Sequence, residues 1–325
     1  MIIVKKIILS FIIFLVPEIC VADAHDISEC IILHDEIPLE PYSGPISVLA
    51  KIDGISSEVF FSPTATSTFL WNYRTHNLHA DEEDKVEGID GSSWSGDYMI
   101  ENLSIGTIKL NKIDASLLSN VVKGNENIGL VGLIGYDILS RISVLVDHYS
   151  NTISIFKYSR TNCPPIGNLL QNSKYINIVT SFNSLQFDSI KIVINGRELV
   201  SRINLSSNKT LLRKQDLYKL SGIKNTNKEI KISSMSKVSG IMANVENINI
   251  GGFDLKNYEI GVSSAIDYNI IGADILNNFN IILDIEDRKL WISPTRTKNN
   301  RPYFGWSPIK VTTYNAVVLD KSGVR

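Results

Sequence analysis

The side chains able to do chemistry in this chain are scattered, and few stand at the spacing a reaction needs. His76 and His79, followed by Asp81, Glu82, Glu83 and Asp84, could bind Zn²⁺ if they shared a helix face. A run of four acids reads better as a solvated loop, so no metal and no other cofactor is expected. Ser62 would need a histidine beside it to become a nucleophile, and His148 offers no evident route. Gly91-Ser92-Ser93-Trp94 lacks the lysine of a phosphate-binding loop. Carboxylates remain. Asp53 falls in a turn, Asp147 and Asp284 each precede one, and Asp137 and Asp274 read as caps of short helices.

Those aspartates belong to a pattern. Ile134-Gly135-Tyr136-Asp137-Ile138-Leu139 matches Ile271-Gly272-Ala273-Asp274-Ile275-Leu276 at an offset of 137 residues. Continued without a gap, 7 of 22 positions are identical, where composition alone gives about one or two. Upstream, Leu103-Ser104-Ile105-Gly106 parallels Ile248-Asn249-Ile250-Gly251. Ile52-Asp53-Gly54 parallels Ile194-Asn195-Gly196, and Thr68-Phe69-Leu70 then falls on Thr210-Leu211-Leu212. Four blocks in one order define a duplicated unit, which has to be found before any element is assigned. Each copy reads as short strands. Asp53-Gly54 and Asn195-Gly196 are preferred two-residue hairpin turns. Val144–Val146 and Ile281–Leu283 are apolar runs of the kind buried on both faces. Each copy holds one short helix, at Asp137 and Asp274.

The remaining chain sets context. Lys and Arg number 32 against 34 Asp and Glu, a net charge of −2, which argues against nucleic-acid binding. Lys5 and Lys6 precede an apolar run from Ile7 to Val16, broken by Pro17 and followed by Ala22-Asp23-Ala24. That is the pattern of a secretory signal. The alternative, an anchor, needs about 20 apolar residues, and no later stretch would span a bilayer. Residues 1–24 are therefore expected to be removed and the chain exported, to a periplasm or the exterior. Cys30 and Cys163 then remain. In an oxidising compartment they can form one disulfide; two buried thiols are the other reading. A linker with Pro164-Pro165 separates the copies. The stretch from Arg296 lies outside the repeat, and its Ile309–Leu319 part has strand character that could extend an inter-lobe sheet.

Gly132-Leu133-Ile134-Gly135-Tyr136-Asp137-Ile138-Leu139 with Val144–Asp147 and Ile153–Ile155 resembles the C-terminal half of a retropepsin-like aspartic protease lobe. The second copy, from Ile270 through Asp284 to Leu290-Trp291-Ile292, resembles it further. The resemblance covers nearly all of residues 45–293. It implies an all-β fold of two tandem retropepsin-like β-barrel lobes with one short helix each, about a pseudo-twofold axis. The corresponding boundaries are 25–158 for lobe 1, 159–174 for the linker, 175–295 for lobe 2 and 296–325 for a C-terminal extension.

The resemblance also locates the catalytic Asp-Thr-Gly positions. Copy one reads Ser62-Pro63-Thr64 there and copy two reads Asn204-Leu205-Ser206, so both depart at all three residues. Aspartic proteolysis needs two carboxylates sharing a proton. A serine cannot supply that base near neutral pH, and an asparagine amide does not titrate. The expectation is an exported, monomeric pseudoprotease that holds an extended peptide or protein segment between the lobes. Ser62, Thr64, Asn204 and Ser206 would line the floor, and Trp94 would lie over it on a flap. An active endopeptidase with its acids elsewhere, and a structural envelope-interaction protein, are the competing readings.

Overall fold

The computed structural model describes residues 30–39, 46–72, 83–88, 91–118, 130–169, 175–182, 187–233, 237–295 and 318–319. The signal segment and the pair His76 and His79 lie outside them. The first half runs β1 (Ile31–Pro38), β2 (Ser47–Ile52), β3 (Ile55–Phe61), β4 (Thr68–Asn72), β5 (Glu83–Gly88), β6 (Gly91–Ile105), β7 (Ile108–Leu118), β8 (Leu130–Ile134), α1 (Tyr136–Leu139), β9 (Ser143–Asp147) and β10 (Thr152–Tyr158). The single turn α2 (Ile166–Leu169) leads to β11 (Ile176–Asn177) and β12 (Val179–Phe182). The second half follows as β13 (Phe187–Ile194), β14 (Arg197–Ile203), β15 (Leu211–Arg213), α3 (Lys214–Leu217), β16 (Lys224–Ser233), β17 (Lys237–Ile250), β18 (Phe253–Ser263), β19 (Asn269–Ile271), α4 (Ala273–Leu276), β20 (Phe279–Asp284) and β21 (Lys289–Pro294).

Each half closes a six-stranded barrel, in the order β2-β3-β8-β4-β7-β6 for lobe 1 and β13-β14-β19-β15-β18-β17 for lobe 2. Strand for strand the rings match, down to the parallel pairs β3/β8 and β4/β7 in one and β14/β19 and β15/β18 in the other. Alternation explains the wall. On β2, Val48, Ala50 and Ile52 are buried while Leu49 and Lys51 face out, as a period of two requires. The hairpin dipeptides form the turns their sequence favours: Asp53 and Gly54 have φ of 49° and 82°, Asn195 and Gly196 of 47° and 80°. Positive φ at both central residues matches the right-handed strand twist. Beyond each ring, β5 and β16 hang as outer strands, paired among the described residues only to β6 and β17.

A third sheet, β1-β10-β9-β20-β21-β11, joins the lobes. At its centre Val144, Leu145 and Val146 of lobe 1 lie opposite Leu283, Ile282 and Ile281 of lobe 2. One face adds Val144, Val146, Ile281 and Leu283 to a single apolar core running through both barrels. The other packs Leu145, Phe156, Tyr158 and Ile282 under Cys30, Ile166 and Tyr175. Cys30 and Cys163 are joined as a disulfide over that face. Arg160 binds Asp284 at 3.1 Å, Asp287 at 2.6 Å and Glu286 at 2.5 Å, pinning the linker to the final hairpin. The strand-like C-terminal stretch contributes β22 (Val318–Leu319), which pairs with Lys109 and Leu110 of β7 rather than extending the inter-lobe sheet. The reason is geometric. β4 pairs with β7 only along Ala115–Leu118, so the edge of β7 at Lys109 and Leu110 is available to it.

Two titrating groups sit on the inter-lobe sheet. Burial holds His148 down at about 4 despite the neighbouring Asp147, and its Nε2 has no partner among the described residues. Burial and Asp287 push Asp284 up to about 6 against the pull of Arg160. For His148 the folded pKa lies below the unfolded one. Its protonation therefore costs stability as pH falls from about 6.5 to about 4. His148→Gln removes that cost. The variant is expected to gain stability relative to the parent by roughly 2–3 kcal/mol between neutral pH and about pH 4. Urea denaturation of both proteins across that window measures it, and a pH-independent difference would contradict it.

Candidate functional site

The two loops after β3 and β14 share one hydrogen-bond plan. Ser62 N donates to the Ile134 carbonyl at 2.9 Å, and Asn204 N to the Ile271 carbonyl at 3.0 Å. Ala65 N returns to the Ser62 carbonyl and Ser207 N to the Asn204 carbonyl, both at 3.2 Å. The start of each helix closes on its loop, with Tyr136 N on the Ala65 carbonyl at 2.8 Å and Ala273 N on the Ser207 carbonyl at 2.7 Å. Ser62 and Asn204 are thus structural equivalents at the tips of matched loops.

Asp137 and Asp274 hold these loops from behind. Each accepts from the backbone N–H and the hydroxyl of one threonine: Thr68 at 3.1 and 3.0 Å, Thr210 at 2.8 and 2.7 Å. The threonine hydroxyl in turn accepts from Gly135 N or Gly272 N. This corrects the reading of the two aspartates as caps. The cap positions are Gly135 and Gly272, which offer no side chain, and each aspartate lies inside the first turn. The brace also accounts for the repeated glycine. A Cβ on Gly135 would stand 2.2 Å from the Ser67 carbonyl oxygen, and one on Gly272 would stand 2.4 Å from the Lys209 carbonyl carbon. Burial raises the pKa of both aspartates, and the bonds from Thr68 and Thr210 oppose it.

At the tips the groups are neutral. Ser62 is buried, and its hydroxyl lies 3.2 Å from the Thr64 hydroxyl. Asn204 Oδ1 accepts from Ser206 N at 2.9 Å and from Ser206 Oγ at 2.6 Å. Ser62–Ala65 and Asn204–Ser207 contain no carboxylate. Asp53 is far down the strand, bound to Asn102 N and the Tyr98 hydroxyl. The lobes engage here through backbone: Ile46 N of lobe 1 donates to the carbonyl of Leu205 at 2.9 Å, and the Leu205 side chain is fully buried.

The flap expected at Gly88–Gly96 is the β5–β6 hairpin, with Gly88 opposite Gly91 and Trp94 opposite Lys85. The Trp94 side chain lies outside the described residues. Lobe 2 carries an equivalent hairpin, β16–β17. Among the described residues, no group of three His, Cys, Asp or Glu side chains is placed to hold a metal ion, and no helix is long and apolar enough to cross a membrane.

No family model and no curated protein matches the chain. Among solved structures it is similar to an aspartic proteinase from Irpex lacteus, with a TM-score of 0.53 and 10% sequence identity over 82% of this chain and 100% of that one. The likeness establishes the fold, two tandem all-β lobes of aspartic-proteinase type. At that identity it carries nothing about activity.

Proposed function

We propose that this chain is an exported, monomeric pseudoprotease that binds an extended peptide between its lobes and does not cleave it. One observation carries the reading: the two equivalent loop tips present Ser62 and Asn204, with no acid on either loop. Hydrolysis of this kind needs one ionised and one protonated carboxylate. Each positioned acid–base group contributes about 10²–10⁴-fold, so losing both leaves the mechanism without its proton acceptor and its donor. Asp137 and Asp274 are poor substitutes because they brace the loops from behind: Asp137 accepts from Thr68 with both oxygens, and Asp274 Oδ1 takes both bonds from Thr210.

Peptide binding is favoured by what remains. Among the described residues, outer strands β5 and β16 each have one side that pairs with no strand, and an extended segment can add to such an edge by main-chain hydrogen bonds. The neutral hydroxyls and amide at the loop tips suit a backbone better than a charged ligand. Export is supported by the residue pattern of positions 1–24 and by the joined cysteines, which persist in oxidising compartments.

The test uses the chain lacking residues 1–24. Casein incubated with it at acid and neutral pH should remain intact, and a random peptide library should yield binders at micromolar concentration. Pepstatin-sensitive cleavage of casein would establish an active endopeptidase instead. Absence of any micromolar binder would favour a structural interaction protein.

A further inference from the structure

The amide orientation of Asn204 is fixed by its partners. Ser206 N is a backbone N–H and can only donate, so the side-chain atom 2.9 Å from it is the carbonyl oxygen Oδ1. The Ser206 hydroxyl points its proton at the same atom, 2.6 Å away. The usual ambiguity between amide oxygen and nitrogen is thereby removed. Both lone-pair directions of Oδ1 are occupied, and Nδ2 with its two hydrogens is left without a partner among the described residues. Asn204 is only partly buried, and Nδ2 is absent from the buried polar atoms that lack a partner. The amide donor therefore reaches the surface, one residue from Leu205, whose carbonyl accepts from Ile46 N of lobe 1.

The opposite tip has the same polarity. Ser62 and Thr64 hydroxyls share one hydrogen bond at 3.2 Å. One proton is used between them, and the other hydroxyl proton is free to turn outward. The tips thus offer N–H and O–H donors and no fixed acceptor with a negative charge. An aspartate pair would present the reverse.

We propose that Asn204 determines which ligand group sits at the centre of the site: its Nδ2 donates to a main-chain carbonyl oxygen of the bound extended peptide, with the Ser62–Thr64 hydroxyl pair completing a neutral donor floor. The proposal rests on the peptide-binding reading above and deepens it. Asn204 acts as a specificity-determining residue. It selects a carbonyl acceptor and rejects a ligand that brings a second donor, because two facing donors leave a desolvated N–H unpaired.

The test begins with a random octapeptide library acetylated at the N-terminus and amidated at the C-terminus, so that no terminal charge contributes. For the best binder, each carbonyl is replaced in turn by a methylene. One position should weaken binding to the parent protein about ten- to hundred-fold, the range for leaving a buried donor unpaired. Against Asn204→Asp at neutral pH the unmodified peptide should weaken by a similar factor, since a carboxylate presents only acceptors. Below about pH 4 that aspartate protonates, and binding should recover towards the parent protein measured at the same pH. Recovery within one sample also establishes that the variant is folded.

Equal binding of the unmodified peptide to parent and Asn204→Asp at neutral pH overturns the proposal and leaves peptide binding intact. A carbonyl scan with no sensitive position does the same. Failure of every blocked peptide to bind the parent protein overturns the peptide-binding reading itself, and this proposal with it.

Discussion

Asp216→Ala is expected to lower the free energy of unfolding by about 1.5–3 kcal/mol, the range for hydrogen bonds made to a charged group; Asp216 is the buried member, and Arg213 and Lys219 keep access to solvent. Asp216 is 2% exposed. Arg213 donates to its Oδ2 through Nε at 2.7 Å and through Nη2 at 2.6 Å, and Lys219 reaches Oδ1 at 2.6 Å. Asn269 Nδ2 adds a bond of 3.0 Å to Oδ2 and another to the Val200 carbonyl, while its Oδ1 accepts from Arg213 N. One carboxylate therefore ties α3 to β14, β15 and β19, on the lobe that carries Asn204. Burial by itself would raise the Asp216 pKa, but the bonds from Lys219, Arg213 and Asn269 outweigh it and hold the carboxyl below its ordinary value. A depressed folded pKa makes its contribution present above the unfolded value, near pH 4, and lost as pH falls below it. Denaturation of the variant by guanidinium at neutral pH gives the magnitude. Asp216→Asn, which keeps an acceptor and loses the charge, should fall between the two. A loss under about 1 kcal/mol would place Asp216 among exposed ion pairs, which contribute little, and contradict the network.

Opening the Cys30–Cys163 disulfide is expected to cost about 5 kcal/mol, the chain-entropy value for a loop closed over a separation of 133 residues. Its place in the fold adds to that. Cys30 is 1% exposed and belongs to the apolar cluster on the outer face of the inter-lobe sheet. Its carbonyl accepts from Ser159 N at 2.7 Å, and the Tyr158 hydroxyl donates to the Pro164 carbonyl. β1 begins at the next residue and, among the described residues, pairs only with β10, so the bridge anchors an edge strand of the sheet that joins the lobes. The double variant Cys30→Ser, Cys163→Ser should show a lower denaturation midpoint, and hydrogen exchange should rise first along Ile31–Pro38. An unchanged midpoint after reduction would show that the docked linker holds the sheet without the covalent link.

Much of the architecture is legible in the residues because its determinants are local. The Asp-Gly and Asn-Gly dipeptides specify their own turns, and alternation along β2 specifies which side faces the barrel. The paired Ile-Gly-x-Asp-Ile-Leu blocks expose the duplication, and with it the equivalence of Ser62 and Asn204. The role of Asp137 and Asp274 is only half legible. Their spacing from a glycine suggests a cap, and their partners Thr68 and Thr210 lie 69 and 64 residues away. Asp216 gives a weak signal in its spacing of three from both Arg213 and Lys219. Nothing local announces Asn269, 53 residues on. His148 is visible as a histidine after a strand, but not as one whose surroundings hold it neutral. The C-terminal strand is visible as a strand and not as a partner of β7.

The amino-acid sequence by itself determines which side chains stand at the loop tips, hence that no acid is present there, since residue identity and repeat register need no coordinates. Tertiary structure alone decides which atoms of those side chains are already engaged. Asn204 becomes a donor rather than an acceptor because the backbone of Ser206 occupies its oxygen. Hydrogen-bond polarity depends on the direction in which a folded loop points its N–H groups, and no count of residues along the chain contains that direction.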